Sequence, residues 1–211
     1  MTDDAGNSTS AIISLKMKES FPDLTITKPE VNVFGGVTIQ IAGNRLLIAD
    51  EEVASWSDKI AEPCKASLSF NGQEVKDGDI LSEAGKLTIT VTNNQERSSS
   101  AEITLTSDAV VSLGKIDVMQ VGVTTDLLQG VILVNGAELV KVEIEIDGQC
   151  SDIADATHFV PQYPGLCSII FTVQRNGTAK EVKVDNLTIK PLDYKGINVA
   201  NIEPVDILPI I

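Results

Sequence analysis

The chain has 211 residues, with 30 acidic against 16 basic, and a formal charge of −14. A field of that sign repels phosphate backbones, so nucleic acid is excluded as an expected partner. No basic amphipathic stretch points to a membrane surface, and no apolar run approaches the roughly 20 residues of a membrane-inserted span.

The chain opens with TDDAGNSTSAIISL, Thr2 to Leu15, which lies without a gap on TNNQERSSSAEITL, Thr92 to Leu105. Thr2/Thr92, Ser8/Ser98, Ser10/Ser100, Ala11/Ala101, Ile13/Ile103 and Leu15/Leu105 are identical. Residues 1–15 are therefore expected to be the closing strand of a preceding, truncated repeat, and the chain a piece of a longer array. Met1 is followed by acids and small polar residues, so no signal peptide opens the sequence. A complete chain would stay in the cytosol or enter a virion. A fragment of an array fits a secreted or cell-surface protein.

Residues 16–107 read as a first module. Pro22 and Pro29 punctuate a first strand, Leu24–Thr27. Val31–Phe34 is a short strand stopped by Gly35-Gly36. Val37, Ile39 and Ile41 share one face of the next, and Gly43-Asn44 turns into Arg45–Ile48. Asp50–Ile60 breaks the alternation, and its leading acids and late lysine predict a short helical turn. Trp56, the only tryptophan, is expected to pack at the sandwich edge. Lys65–Phe70 alternates again, Asn71-Gly72 is a hairpin turn, and Glu74–Leu81 is an edge segment. Leu87–Leu105 closes the module as a hairpin. Leu87, Ile89 and Val91 point inward against Thr88, Thr90 and Thr92, and Ala101, Ile103 and Leu105 continue that face.

Residues 108–192 repeat this grammar. Ile116, Val121 and Val123 stand at the spacing of Ile26, Val31 and Val33. KVEIEIDGQ (Lys141–Gln149) mirrors KASLSFNGQ (Lys65–Gln73), Pro164-Gly165 mirrors Ala84-Gly85, and Asn176-Gly177 is a hairpin turn before the last strand. The second module is shorter, roughly by the Asp50–Ile60 insertion. Residues 193–211 read as a linker or the start of a further unit, with an apolar Ile207–Ile211 end. The expected fold is all-β, as two tandem immunoglobulin-like β-sandwich domains.

TDDAGNSTSAIISL resembles the closing hairpin of bacterial immunoglobulin-like repeats, which often reads T-x-D-x-x-G-N-x-S/T-x-A. With FNGQEVKDGD, AGKLTITV and AEITL, the chain is similar to modules in secreted or cell-surface proteins of gut Bacteroidetes. The later copy keeps the frame but lacks the Gly-Asn. The resemblance covers most of residues 1–190. It implies a non-catalytic spacer or adhesion role with an unspecified protein or glycan ligand, beside further domains of a parent chain. It brings no functional residue, because such modules share no site.

Chemistry-bearing residues are sparse. Asp147, Asp152 and Asp155, within DGQCSDIAD, are the best calcium candidates, because calcium takes several loop oxygens; EF-hand spacing is missing. Asp3, Asp4 and Asn7 are a weaker version. His158 is the only histidine, and no nucleophile motif accompanies it. Cys64, Cys150 and Cys167 form neither a disulfide framework nor a zinc motif, although Cys150 and Cys167 would close a short loop if they faced each other. Tyr163, Phe159 and Tyr194 are a candidate sugar-stacking platform. Asn7, Asn176 and Asn186 sit in N-x-S/T sequons. No catalytic site and no other cofactor is expected. The alternatives to a spacer are a carbohydrate-binding accessory module and a virion decoration or tail protein.

Overall fold

The computed structural model describes residues 20–116 and 118–193, and every regular element among them is a β-strand. Residues 1–15 and most of 193–211, including Asp3, Asp4, Asn7 and Tyr194, lie outside the described residues. The chain divides between Ser107 and Asp108 into two compact units.

The N-terminal unit runs β1 (Asp23–Ile26), β2 (Glu30–Asn32), β3 (Val37–Ile41), β4 (Arg45–Ile48), β5 (Glu51–Ser57), β6 (Lys65–Phe70), β7 (Gln73–Val75), β8 (Ile80–Leu81), β9 (Gly85–Thr92) and β10 (Ser98–Thr106). One sheet has the order β1-β5-β4-β3-β8, the other β2-β10-β9-β6-β7. Alternation decides which side chains go inside. Leu87, Ile89 and Val91 of β9 are all fully buried, while the threonines between them face out. They meet Ile39, Leu46, Ile48 and Trp56 of the first sheet in one core cluster, the arrangement of a β-sandwich. Each such side chain contributes roughly 1.5–3 kcal/mol by leaving water.

The segment expected to make a helical turn is strand β5. Leu46 pairs with Ala54 and Leu47 with Glu52, so Val53 is an extra residue, a β-bulge. Val53 and Ala54 are consequently both buried, and the period of two is lost just where the sequence would display it. The turn into β5 is also atypical. Ala49 (φ 53°) and Asp50 (φ 63°) occupy both left-handed positions of a two-residue hairpin turn without glycine or asparagine. Trp56 is 4 % exposed and belongs to the core.

The C-terminal unit runs β11 (Val110–Leu113), β12 (Met119–Gln120), β13 (Val131–Leu133), β14 (Glu138–Ile146), β15 (Gln149–Asp152), β16 (Gly165–Arg175) and β17 (Thr178–Lys190). Its large sheet, β12-β17-β16-β14-β15, reproduces β2-β10-β9-β6-β7 strand for strand. In each, a short early strand runs parallel to the last one and the remaining neighbours are antiparallel. The mirrored nonapeptides fall on β6-turn-β7 and β14-turn-β15, and Leu68↔Ile89 corresponds to Ile144↔Ile169. Asn71-Gly72 and Asp147-Gly148 both adopt the left-handed pair that a tight hairpin needs, as does Asn176-Gly177.

Two details differ from the sequence alignment. Val33 N donates to Thr106 O at 2.7 Å and Val121 N to Lys190 O at 3.0 Å, so Val121 corresponds to Val33 and not to Val31. The residues the second unit lacks fall between β12 and β14, where the first carries β3, β4 and β5. Among the described residues the other sheet of this unit is the two-stranded β11-β13. Ile169, Phe171, Val173 and Leu127 are nevertheless fully buried.

Candidate functional site

The calcium candidates are spread along one hairpin and the loop after it. Asp147 sits in the β14–β15 turn (φ 50°) and is exposed. Asp152 ends β15 opposite Glu143, three residue steps from the turn, or about 10 Å at ordinary strand rise. Its carboxylate is 2.9 Å from Lys141 Nζ, which also meets Glu143 at 2.9 Å. Those two carboxylates push the Lys141 ammonium pKa up, Glu143 more than Asp152. Asp155 lies in the following loop and accepts from Thr157 Oγ1 (2.7 Å) and from the amides of Thr157 and His158 (3.0 and 3.1 Å). These bonds, led by the Thr157 hydroxyl, hold its carboxyl below the usual range. Among the described residues no three His, Cys, Asp or Glu side chains converge as a metal would need. His158 Nδ1 meets Asp155 Oδ2 at 3.1 Å and Thr157 Oγ1 at 2.9 Å in an exposed loop.

One concave feature of this unit lies on the outward side of its large sheet. Cys167 pairs with Leu187 and Ile169 with Val184, so Asp185 and Asn186 together oppose Ser168 in a second bulge, with Asn186 left-handed (φ 61°). An open groove of about 440 Å³ lies over it, lined by Glu145, Asp147, Leu166, Ser168, Asp185 and Asn186. Two of its three carboxylates, Glu145 and Asp185, share one lysine. Ser168 Oγ donates to Asp185 Oδ1 at 2.8 Å, and Lys183 Nζ reaches Glu145 at 2.7 Å and Asp185 at 3.3 Å. The Ser168 hydroxyl, then Lys183, hold the Asp185 carboxyl low, while Glu145 and Asp185 raise Lys183.

The cysteines are free. Cys150 pairs with Glu145, which pairs with Ser168, so Cys150 and Cys167 lie two strands apart, about 10 Å, on opposite faces of one sheet. A disulfide needs Cα atoms within about 7 Å and converging Cβ vectors, so this pair cannot close. Burial pushes the Cys167 thiol pKa up, which makes it a poor nucleophile. Cys64 is raised as well, by burial first and then by Glu62 and Asp58.

Of the aromatic candidates, Tyr163 is 74 % exposed in the β15–β16 loop, while Phe159 is half-buried and bridged to Thr125. They share a loop without forming a two-ring exposed platform.

The sequence reading missed Asp58. It is 1 % exposed, and its carboxylate accepts from Asn93 Nδ2 (2.6 Å), Ser20 Oγ (2.8 Å) and the amides of Ile60 and Ala61 (2.8 and 2.9 Å). The Asn93 bond leads the causes that lower its pKa to about 2, against the opposing pull of desolvation. Asn93 Nδ2 also donates to Ser20 O at 2.9 Å, which ties the incoming chain to the β9–β10 turn. The available signal was an aspartate just after a strand and five residues before Pro63, where an Asx-type turn is favoured. The expected helix concealed it.

No family model matches the chain, and no curated protein matches it. Among solved structures, it matches the Bacteroides ovatus mixed-linkage glucan utilization locus SGBP-B in complex with mixed-linkage heptasaccharide, at 13 % identity and a TM-score of 0.27. The match covers 82 % of this chain and 48 % of that one, so the chain spans about half its length. Among the described residues no helix is long and apolar enough to cross a membrane.

Proposed function

We propose that the chain is a non-catalytic spacer or adhesion segment, built from two immunoglobulin-like sandwiches, of a secreted or cell-surface protein. The observation that carries this reading is the path of the chain through each unit. Ser99 Oγ donates to Pro22 O at 2.6 Å beside the start of β10, whereas Asn32 pairs with Thr106 at its end. The polypeptide thus enters at one end of its last strand and leaves at the other, about 23 Å further on by strand rise. The second unit repeats this. Residues 108–113 share a groove with Lys180–Lys183 near the start of β17, and Gln120 pairs with Lys190 at its end. A unit with entry and exit at opposite ends adds length to an array. A parallel pairing of an early strand with the last one, β2 with β10 and β12 with β17, loads those ladder hydrogen bonds together when the strands are pulled along their length.

Single-molecule extension of the full chain tests the proposal. Two separate rupture events are expected, each releasing about 300 Å for a unit of this size. Smooth extension without peaks would overturn the spacer role. Exposed Tyr163 favours the carbohydrate-binding alternative, and a glycan-array signal abolished by Tyr163→Ala would move the assignment there.

A further inference from the structure

Three asparagines are followed by glycine: Asn71, Asn135 and Asn176. Such a pair carries a reaction of its own. The backbone nitrogen of the glycine attacks the asparagine Cγ, and the missing Cβ leaves that nitrogen accessible. The reaction is intramolecular, so its rate follows how often the two atoms reach a near-attack arrangement. A turn that fixes the asparagine away from that arrangement suppresses it.

The structure separates the three. Asn71-Gly72 and Asn176-Gly177 are hairpin loops, with φ 49° at both asparagines. Phe70 pairs directly with Gln73, and Arg175 with Thr178, so strand pairing clamps each loop at its base. The Asn71 side chain is pinned as well. Its Oδ1 accepts from Lys86 N at 3.0 Å, and a methyl group built on Gly85 would lie 2.6 Å from both its Oδ1 and its Nδ2. Asn135-Gly136 is held differently. It joins β13 to β14, which belong to different sheets: β13 pairs with β11, and β14 with β15 and β16. Strand pairing therefore does not close this turn, which is bridged by Ala137 N donating to Val134 O at 2.9 Å. Gly136 has φ 75° while Asn135 is not left-handed, the pattern of a type II turn. Asn135 is exposed, and among the described residues its side-chain amide has no hydrogen-bond partner.

We propose that Asn135 is a modification site of the folded chain, where it loses ammonia and closes a succinimide ring with Gly136. The bond from Gly136 N to Asn135 Cγ forms and the Cγ–Nδ2 bond breaks. The Gly136 amide proton leaves with Nδ2 as ammonia. Water then opens the ring at either carbonyl, giving aspartate or its β-linked isomer. Either product sets a new carboxylate in the turn, where a methyl group built on Gly136 would lie 3.7 Å from Arg175 Nε. The β-linked product also lengthens by a methylene the connection between the two sheets of the unit. This chemistry belongs to the polypeptide itself and stands whether or not the array serves as a spacer.

The test is to age the full chain in mildly alkaline buffer at body temperature and follow each Asn-Gly peptide by mass spectrometry. In the folded protein the Asn135 peptide should convert about tenfold or more faster than those of Asn71 and Asn176, which react only when their hairpins open. In strong urea the gap between the three should close. Asn135→Gln keeps an amide but enlarges the ring that must form, and it should remove most of the mass gain of the folded protein. Conversion of Asn71 or Asn176 as fast as that of Asn135 in the folded chain would overturn the proposal. So would an Asn135 that urea accelerates as much as the other two, and so would an undiminished mass gain in Asn135→Gln.

Discussion

The outward faces of the two large sheets differ where the inward faces agree. In the N-terminal unit the exposed rows are hydroxyls. Thr90 meets Ser100 and Thr92 meets Ser98, each at 2.8 Å across the β9–β10 pair, with one ion pair, Lys86–Glu102, on the same face. In the C-terminal unit the corresponding rows are charges. Lys141 bridges Glu143 and Asp152, and Lys183 bridges Glu145 and Asp185. Even the buried exception is instructive: Ile170 faces outward yet is 8 % exposed, paired across the sheet with Glu143 and Lys183. Long lysine stems can cover an apolar residue that serine and threonine cannot. Strand order is the same under both surfaces, and so is the central pairing of Leu68 with Ile89 and Ile144 with Ile169, although β17 carries a bulge that β10 lacks. Order and central pairing are therefore set by the inward alternation and the left-handed turns, and the outward rows are free to take on other uses.

The strongest way to break this comparison is to truncate equivalent inward residues. Ile89→Ala and Ile169→Ala should each destabilise their own unit by about 2–5 kcal/mol, because both side chains are completely buried and central. Trp56 makes the two separable: its fluorescence reports the N-terminal unit, while circular dichroism reports both. Urea unfolding should shift the fluorescence midpoint for Ile89→Ala and leave it in place for Ile169→Ala. A shift in both would mean that the units unfold as one.

Among the described residues the second unit has no buried carboxylate like Asp58, so acid should separate the two. Its carboxyl pKa is depressed in the folded state, from an ordinary 3.8 to about 2. A depressed acid contributes stability that is fully present above its unfolded pKa and is lost as pH falls through the folded one. Asp58→Asn should therefore lower the N-terminal melting temperature at pH 7. The deficit should shrink below about pH 4 and largely vanish near pH 2. An equal deficit at both extremes would mean that the carboxylate charge is not what the Asn93, Ile60 and Ala61 donors recognise.

How far the sequence could be read follows from what its signals are made of. Strands β3, β4, β6, β9 and β10 were visible because their inward residues alternate without interruption and end at glycine or asparagine turns. β5 was hidden because the Val53 bulge puts two buried residues side by side and the preceding turn uses Ala49-Asp50. The repeat was recognisable in KASLSFNGQ and KVEIEIDGQ because a turn and its flanking register leave a local signature. The offset between β2 and β12 was misjudged because a parallel pairing with a distant last strand leaves none. The acidic residues at 147, 152 and 155 are close in sequence, but a hairpin places its turn and its far end at opposite ends. Asp58 draws its partners from three separate segments, and no window of sequence contains them.

A smaller effect is expected at the turn that concealed β5. Holding an alanine in the left-handed region costs roughly 1–2 kcal/mol relative to the right-handed one. Ala49→Asn should recover about 0.5–1 kcal/mol, since asparagine tolerates that region. Thermal melting followed by Trp56 fluorescence should show a rise, and no rise would mean that the side chain at 49 makes a packing contribution in the native turn.

The finest test returns to the outward faces. Thr90→Val keeps the β-branched shape and removes one hydroxyl from an exposed neutral pair, at a net cost of about 0.5–1.5 kcal/mol. Lys183→Met keeps the stem over Ile170 and removes the charge from two exposed carboxylates, worth about 0.2–1 kcal/mol because solvent screens the pair. The two magnitudes overlap, but their salt dependence does not. At about 1 M salt the screening length falls to roughly 3 Å, so the Lys183→Met deficit should fade while the Thr90→Val deficit persists. If Lys183→Met stays costly in high salt, its stem rather than its charge holds Ile170 covered in a way methionine cannot reproduce. The C-terminal unit would then depend on its outward face for packing, as the N-terminal unit with its hydroxyl rows does not.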